Sequence, residues 1–202
     1  MTWVKVCGLR RREEIEVAAS AGADAIGFVS IPGSPRFLSL EEIAPLITMV
    51  PSALRRIILT MDLDPDELIN VATRVGADGV QPYGRYAREA AEAAMNAGLF
   101  VLLPLRADEA DQGLQDGSGL MPLYDSRVSG VFGGSGQTFD WGLLEGIEES
   151  YVVAGGLSPE NVDVLVNRLQ PWGVDASSRL ETHPGTKDLG KISAFVSKAK
   201  GA

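Results

Sequence analysis

One short pattern occurs twice in this chain and constrains its fold more than any other feature. Ala21-Gly22-Ala23-Asp24-Ala25-Ile26-Gly27 is echoed by Val75-Gly76-Ala77-Asp78-Gly79-Val80-Gln81. In each, a glycine ends an amphipathic stretch, and Ala-Asp leads straight into an apolar run. A helix feeding a strand through so short a turn is the αβ step of a parallel sheet.

The rest of the chain follows the same alternation. Strands are expected at residues 4–6, 24–29, 55–60, 79–81, 99–103, 120–124, 151–154 and 173–176. Between them lie helical patterns at 11–21, 39–50, 65–75, 85–97 and 159–169, and a last helix of about ten residues follows Asp188. Ser39 with Glu42 forms a capping box, and Asp64-Pro65 opens a helix with proline at its first position. Residues 107–119 are too polar and glycine-rich for a full helix, so a reduced one is expected after the fifth strand. Eight strands alternating with helices fit a closed (β/α)₈ barrel or an open doubly wound sheet, and the count favours the barrel. Residues 1–202 are read as a single catalytic barrel domain.

Composition narrows the function. Lys and Arg number 18 against 27 Asp and Glu, a net charge of −9, which argues against binding nucleic acid. One cysteine excludes an internal disulfide, and one cysteine with one histidine cannot build a Cys/His zinc site. No apolar run reaches the 18 or so residues of a membrane span, and no signal-peptide core fits the first residues. The expectation is a cytoplasmic protein in a reducing compartment, a monomer rather than a dimer, with no membrane or nucleic-acid partner.

In a (β/α)₈ barrel, chemistry sits where strands end and βα loops begin. Cys7 ends the first strand, and alternation puts it on one face with Trp3 and Lys5. It is either a small core residue or a thiol whose ionisation a neighbouring ammonium favours. Asp125 ends the sixth strand, either capping a turn or offering a carboxyl group for proton transfer. Gly155-Gly156-Leu157-Ser158 follows strand seven and Ser178-Arg179 follows strand eight, the loops where such barrels hold phosphate. Arg36, in Ser34-Pro35-Arg36-Phe37, is either a solvated surface residue or a bidentate carboxylate ligand. The glycine-rich run from Gly133 to Trp141 lacks the Gly-Lys-Ser/Thr ending of a P-loop and reads as a lid.

Taken together, these motifs resemble the phosphoribosylanthranilate isomerase family of tryptophan biosynthesis along the whole chain. The resemblance rests on Val4-Lys5-Val6-Cys7-Gly8-Leu9, the Ala21 to Phe28 run, Ser34-Pro35-Arg36, Val80-Gln81, Asp125-Ser126 and Gly133-Gly134-Ser135-Gly136 with Thr138-Phe139-Asp140-Trp141. It continues through Ala154-Gly155-Gly156-Leu157, Pro159-Glu160-Asn161-Val162, Val174-Asp175-Ala176-Ser177-Ser178 and Pro184-Gly185-Thr186-Lys187-Asp188. It implies a (β/α)₈ barrel without metal or organic cofactor that performs an Amadori rearrangement on a small phosphorylated substrate. By the same resemblance, Asp125 is the general acid and Cys7 the general base. Arg36 holds the anthranilate carboxylate, and backbone groups near Gly156, Ser178 and Arg179 hold the phosphate. The acid should then have a raised pKa and the base a lowered one. Lys5 and Asp175 match family positions, and an interior ion pair between them is expected.

The chain departs from the family pattern at Pro82-Tyr83 (usually Leu-His), Gln137 (usually Lys), Arg179 (usually Gly) and Thr60-Met61-Asp62-Leu63 (usually closer to Phe-Val-Asn). None of these removes the acid or the base. Two alternatives stand beside the isomerase. A sister Amadori isomerase of the histidine pathway usually has paired carboxylates and two phosphate sites, and Cys7 argues against it. A non-catalytic barrel subunit would not be expected to keep both Cys7 and Asp125.

Overall fold

The structure is a computed structural model that describes residues 1–108, 120–125 and 140–202. Eight strands form its centre: β1 (Trp3–Cys7), β2 (Ala25–Val29), β3 (Arg55–Met61), β4 (Gly79–Tyr83), β5 (Phe100–Leu105), β6 (Met121–Tyr124), β7 (Val152–Val153) and β8 (Gly173–Ala176). Each pairs in parallel with the next, and β8 pairs back with β1 from Trp3↔Gly173 to Val6↔Ala176. The sheet is therefore closed, and the open-sheet alternative falls.

The repeated Ala-Asp step has a structural cause. Asp24 Oδ2 accepts a hydrogen bond from the Val4 N–H at 2.7 Å, and Asp78 Oδ2 accepts one from the Arg56 N–H at 3.1 Å. The backbone of each aspartate also donates to the same neighbour, to Val4 O at 2.8 Å and to Arg56 O at 2.9 Å. Each Asp thus pins the entry of its own strand to that of the preceding one and sets the parallel register.

Helices pack outside the barrel: α1 (Arg12–Ser20), α2 (Leu40–Ile47), α3 (Pro65–Val75), α4 (Ala87–Asn96), α5 (Val162–Leu169) and α6 (Leu189–Gly201). Both expected helix starts are present, with Ser39 Oγ accepting from Glu42 N and Asp64 Oδ1 from Glu67 N. The helix α5 begins three residues later than expected. Asn161 Oδ1 accepts from the Ser158 N–H at 2.8 Å, which holds residues 158–161 in a turn. The last helix is longer than expected, at 13 residues. After β6 the described chain resumes at Asp140, whose side chain caps a 3-10 turn, Trp141–Leu144. Most of the segment expected to carry a reduced helix after β5, and the lid from Gly133 up to Asp140, lie outside the described residues.

Side-chain alternation sorts the core into two layers. Val4, Val6, Ile26, Ile58 and Val174 face outward to meet Ile15, Ile43, Leu68 and Phe195 of the helices. Cys7, Ala25, Ile57, Leu59, Leu102 and Leu123 face inward. At the amino end of the strands, Trp3 stacks on Trp172 with centroids 4.9 Å apart, and the Arg55 guanidinium lies 4.5 Å from the centre of the Phe100 ring. Lys5 also faces inward, fully buried, and its register partner on β8 is Asp175.

Two substitutions separate the interactions that hold this fold. Lys5→Met leaves the Asp175 carboxylate buried and uncompensated, and should cost about 3–5 kcal/mol in urea unfolding. Asp64→Ala removes an exposed cap and should cost only about 1 kcal/mol. Equal losses would mean that the interior pair is not what closes the barrel.

Candidate active site

The strands deliver their last residues to one cavity of about 470 Å³. Its wall includes Cys7 from the end of β1, Val29 from β2, Met61 from β3, Tyr83 from β4, Asp125 after β6, Ala154 to Leu157 after β7, and Asp175 to Ser178 from β8. The volume is that of a site for a small organic ligand. Cys7, Asp125, Arg36, Gly156 and Ser178, drawn from five separate stretches of chain, all line it. Arg179 does not. Its side chain is exposed on the 3-10 turn Ser178–Leu180, outside the cavity wall.

Cys7 is buried and faces the lumen because β1 turns alternate residues inward. Gly27 makes room for it. A Cβ at residue 27 would stand 2.8 Å from Cys7 Sγ, closer than packed atoms approach, and a tight 3.2 Å from Lys5 Cε. Lys5 Nζ bonds Asp175 Oδ2 at 2.8 Å and Gln81 Oε1 at 2.9 Å, and Gln81 Nε2 in turn donates to the Tyr83 hydroxyl at 2.7 Å. The expected interior ion pair is therefore present and extends across the lumen to β4. The other Asp175 oxygen, Oδ1, is buried with no hydrogen-bond partner among the described residues.

The electrostatics correct one expectation. The thiol of Cys7 is held above its ordinary value, not below it. Burial is the main cause, and the Asp175 carboxylate adds to it. The Lys5 and Lys187 ammonium groups pull the other way but do not outweigh them. A neighbouring lysine was legible in the sequence. Its pairing with Asp175 was expected too, but the extent of burial was not. Lys5 itself is raised: burial lowers it, but Asp175 and Cys7 together more than reverse that.

Arg36 is no surface residue. It is buried, and it meets a carboxylate that the sequence reading gave no role. Arg36 Nε and Nη2 bond Glu181 Oε1 and Oε2 at 2.6 and 2.7 Å. Glu181 sits on a small antiparallel hairpin, β9 (Glu181–His183) and β10 (Thr186–Lys187), between β8 and α6. Lys187 Nζ, also buried, bonds Glu181 Oε1 at 2.7 Å. Burial would raise the Glu181 carboxyl, but the two cations outweigh it and hold it below the ordinary glutamate range. Pro184-Gly185 between short β-forming segments was the available signal for this hairpin.

At the end of β7, Gly155 and Gly156 both adopt left-handed backbone, with φ of +85° and +69°. The bonds that shape the loop run from Ser158 N to Asn161 Oδ1, from Glu160 N to Ser158 Oγ and from Asn161 Nδ2 to Gly156 O. None of them uses the Gly155 or Gly156 N–H. Among the described residues, no group of three or more His, Cys, Asp or Glu side chains is placed to hold a metal ion, and no helix is long and apolar enough to cross a membrane.

Comparison with known proteins agrees with this geometry. The family profile described as N-(5'phosphoribosyl)anthranilate (PRA) isomerase matches residues 4–198. A protein of Rubrobacter xylanophilus named N-(5'-phosphoribosyl)anthranilate isomerase is 39% identical, covering 99% of this chain and 100% of its own. The crystal structure of phosphoribosyl anthranilate isomerase from Thermotoga maritima superposes with a TM-score of 0.88 at 30% identity, over 100% of both chains. A second solved structure, of the isomerase in complex with reduced 1-(o-carboxyphenylamino)-1-deoxyribulose 5-phosphate, gives a TM-score of 0.85 at 29% identity over 100% of both chains. With its barrel closed, its thiol and carboxyl opening on one cavity, and nearly its full length matched, this chain belongs to the phosphoribosylanthranilate isomerase family.

Proposed function

We propose that the chain, acting as one catalytic domain, converts N-(5'-phosphoribosyl)anthranilate to 1-(2-carboxyphenylamino)-1-deoxyribulose 5-phosphate. The observation that carries this reading is a buried thiol and a buried carboxyl group, from strands well separated around the barrel, lining a single cavity.

The rearrangement needs one proton delivered to oxygen and one taken from carbon. Asp125 gives its proton to the ring oxygen of the ribosyl group, the C1–O bond breaks, and a protonated Schiff base forms between C1 and the aryl nitrogen. The Cys7 thiolate takes the proton from C2, and its electron pair becomes the C1=C2 bond of an enolamine that neutralises the nitrogen. Tautomerisation to the ketone completes an isomerisation with no net gain or loss of atoms. Arg36 binds the aryl carboxylate. The backbone of the Gly155-Gly156 loop and of Ser178 and Arg179 takes the phosphate, where N–H groups meet an anion at the mouth of strands seven and eight.

The raised thiol fits this scheme. A thiolate of high basicity is a strong proton acceptor once formed, though a minority of molecules carry it at neutral pH. The C2–H of a cationic Schiff base is acidic enough to be met by such a base. Lys5, held as an ammonium ion by Asp175, keeps its positive field beside the sulfur while the thiol titrates.

Turnover is followed by the loss of anthranilate-type fluorescence from freshly made phosphoribosylanthranilate. Rapid loss at catalytic protein levels is expected. No loss from a folded sample would sink the assignment and direct attention to the histidine-pathway aminoaldose. Cys7→Ala and Asp125→Ala should each lower kcat by about 10²-fold or more. Near-normal turnover in either removes that residue from the scheme. The chain has a single cysteine, so thiolate absorbance against pH reports Cys7 alone. Its midpoint should lie above the ordinary 9.0. A midpoint at or below that value would mean that the ammonium groups prevail over burial.

A further inference from the structure

The hairpin β9–β10 touches three parts of the cavity wall at once, and its charged residues have no place in the reaction steps above. Glu181 Oε1 and Oε2 grip Arg36 Nε and Nη2. Lys187 Nζ bonds Glu181 Oε1 at 2.7 Å, and also Ser177 O at 3.0 Å and Ser177 Oγ at 3.3 Å. The Ser177 hydroxyl donates to Cys7 O at 3.0 Å. The Gly185 N–H, at the hairpin tip, donates to Glu181 Oε2 at 3.2 Å. Gly185 has φ +83°, and a Cβ there would run into Pro35 O, so the tip lies directly against the Arg36 loop.

A guanidinium group has two edges that form a two-pronged bond with a carboxylate. One presents Nε–H and an Nη2–H; the other presents an Nη1–H and the second Nη2–H. Glu181 occupies the first edge, and Nη1 donates to no described residue. One edge is thus fixed by the protein, and the other is left at a cavity wall. Charge follows the same logic. Arg36 and Glu181 alone would be a neutral pair, and Glu181 would repel a second carboxylate. Lys187, as an ammonium ion on Glu181, makes the trio a net cation; burial draws it below the ordinary lysine range and Glu181 opposes that fall. All three side chains are buried, where such a charge is poorly screened.

We propose that Glu181 and Lys187 are positioning residues for substrate recognition: Glu181 fixes the orientation of Arg36, and Lys187 cancels the charge of Glu181, so that the free Arg36 edge is preset for an aryl carboxylate. This rests on Arg36 as the partner of that carboxylate. The role is one of selection, because neither residue needs to touch the reacting atoms.

The test compares two probes: the reduced product analogue that carries the ring carboxylate, and the same compound without it. Glu181→Gln should weaken the carboxylate-bearing probe by about tenfold or more and leave the other within about twofold, with KM rising more than kcat falls. Lys187→Met should act in the same direction. In an Arg36→Met background, Glu181→Gln should have no further effect on either probe. The proposal is overturned if Glu181→Gln weakens both probes alike, weakens neither, or adds its full effect to that of Arg36→Met. If Glu181→Gln does not fold, Glu181→Asp is judged by the same outcomes, since it keeps the charge but draws the carboxylate back by one methylene. The underlying reading fails separately: Arg36→Met would then leave the preference for the carboxylate-bearing probe intact.

Discussion

A charged ammonium group inside a barrel lumen is the constraint around which this structure is organised. Lys5 is fully buried on β1, and Asp175 is its register partner on β8, the strand that closes the sheet. Taking a charge out of water costs several kcal/mol unless it is paired with good geometry. The pairing is available only when β1 and β8 lie side by side, so this interior charge tolerates the closed sheet and not an open one. Gln81 takes a second hydrogen bond from Lys5 and carries the link across the lumen to β4. The floor of the cavity is therefore polar and fixed, while the layer below and around it is aliphatic.

That floor sets the chemistry of the residue beside it. Burial opposes ionisation of Cys7, and the lysine that would favour ionisation shares its charge with Asp175. The result is a thiol held above its ordinary pKa, not a standing thiolate. A resting thiolate oxidises and alkylates readily, whereas a buried thiol of raised pKa is inert. The same arrangement that raises the thiol protects it.

The architecture was legible in the sequence because it rests on local signals. The doubled Ala-Asp step, the capping residues Ser39 and Asp64, and eight apolar runs sufficed for a parallel closed sheet, and the ends of β8 were read to the residue. Cys7, Asp125, Arg36, Gly156 and Ser178 were legible as a set because barrel topology sends strand ends to one place. What escaped depends on tertiary contact. Lys187 was noted only within the Pro184 to Asp188 motif and Glu181 was given no role, and their pairing appears only when the hairpin folds back on Pro35. The exposure of the Arg179 side chain, which leaves only its backbone near the cavity, was not legible either. The direction of the Cys7 shift turned on burial, which a residue's neighbours in sequence do not reveal. The strand β4 runs on through Pro82 to Tyr83, two residues past its expected end.

The hairpin that grips Arg36 also imposes an order on the making of the protein. Glu181 follows Arg36 by 145 residues. At a synthesis rate of about 5–20 residues per second, roughly seven to thirty seconds separate their appearance. During that interval the β2 loop lacks the Glu181 carboxylate, and for most of it the strand that closes the barrel has not been made. The Arg36–Glu181 pair therefore comes into being in the last stage of translation, as a property of the finished chain. Until residue 181 is made, a growing chain lacks the carboxylate that holds Arg36, whatever part of the barrel it has already formed.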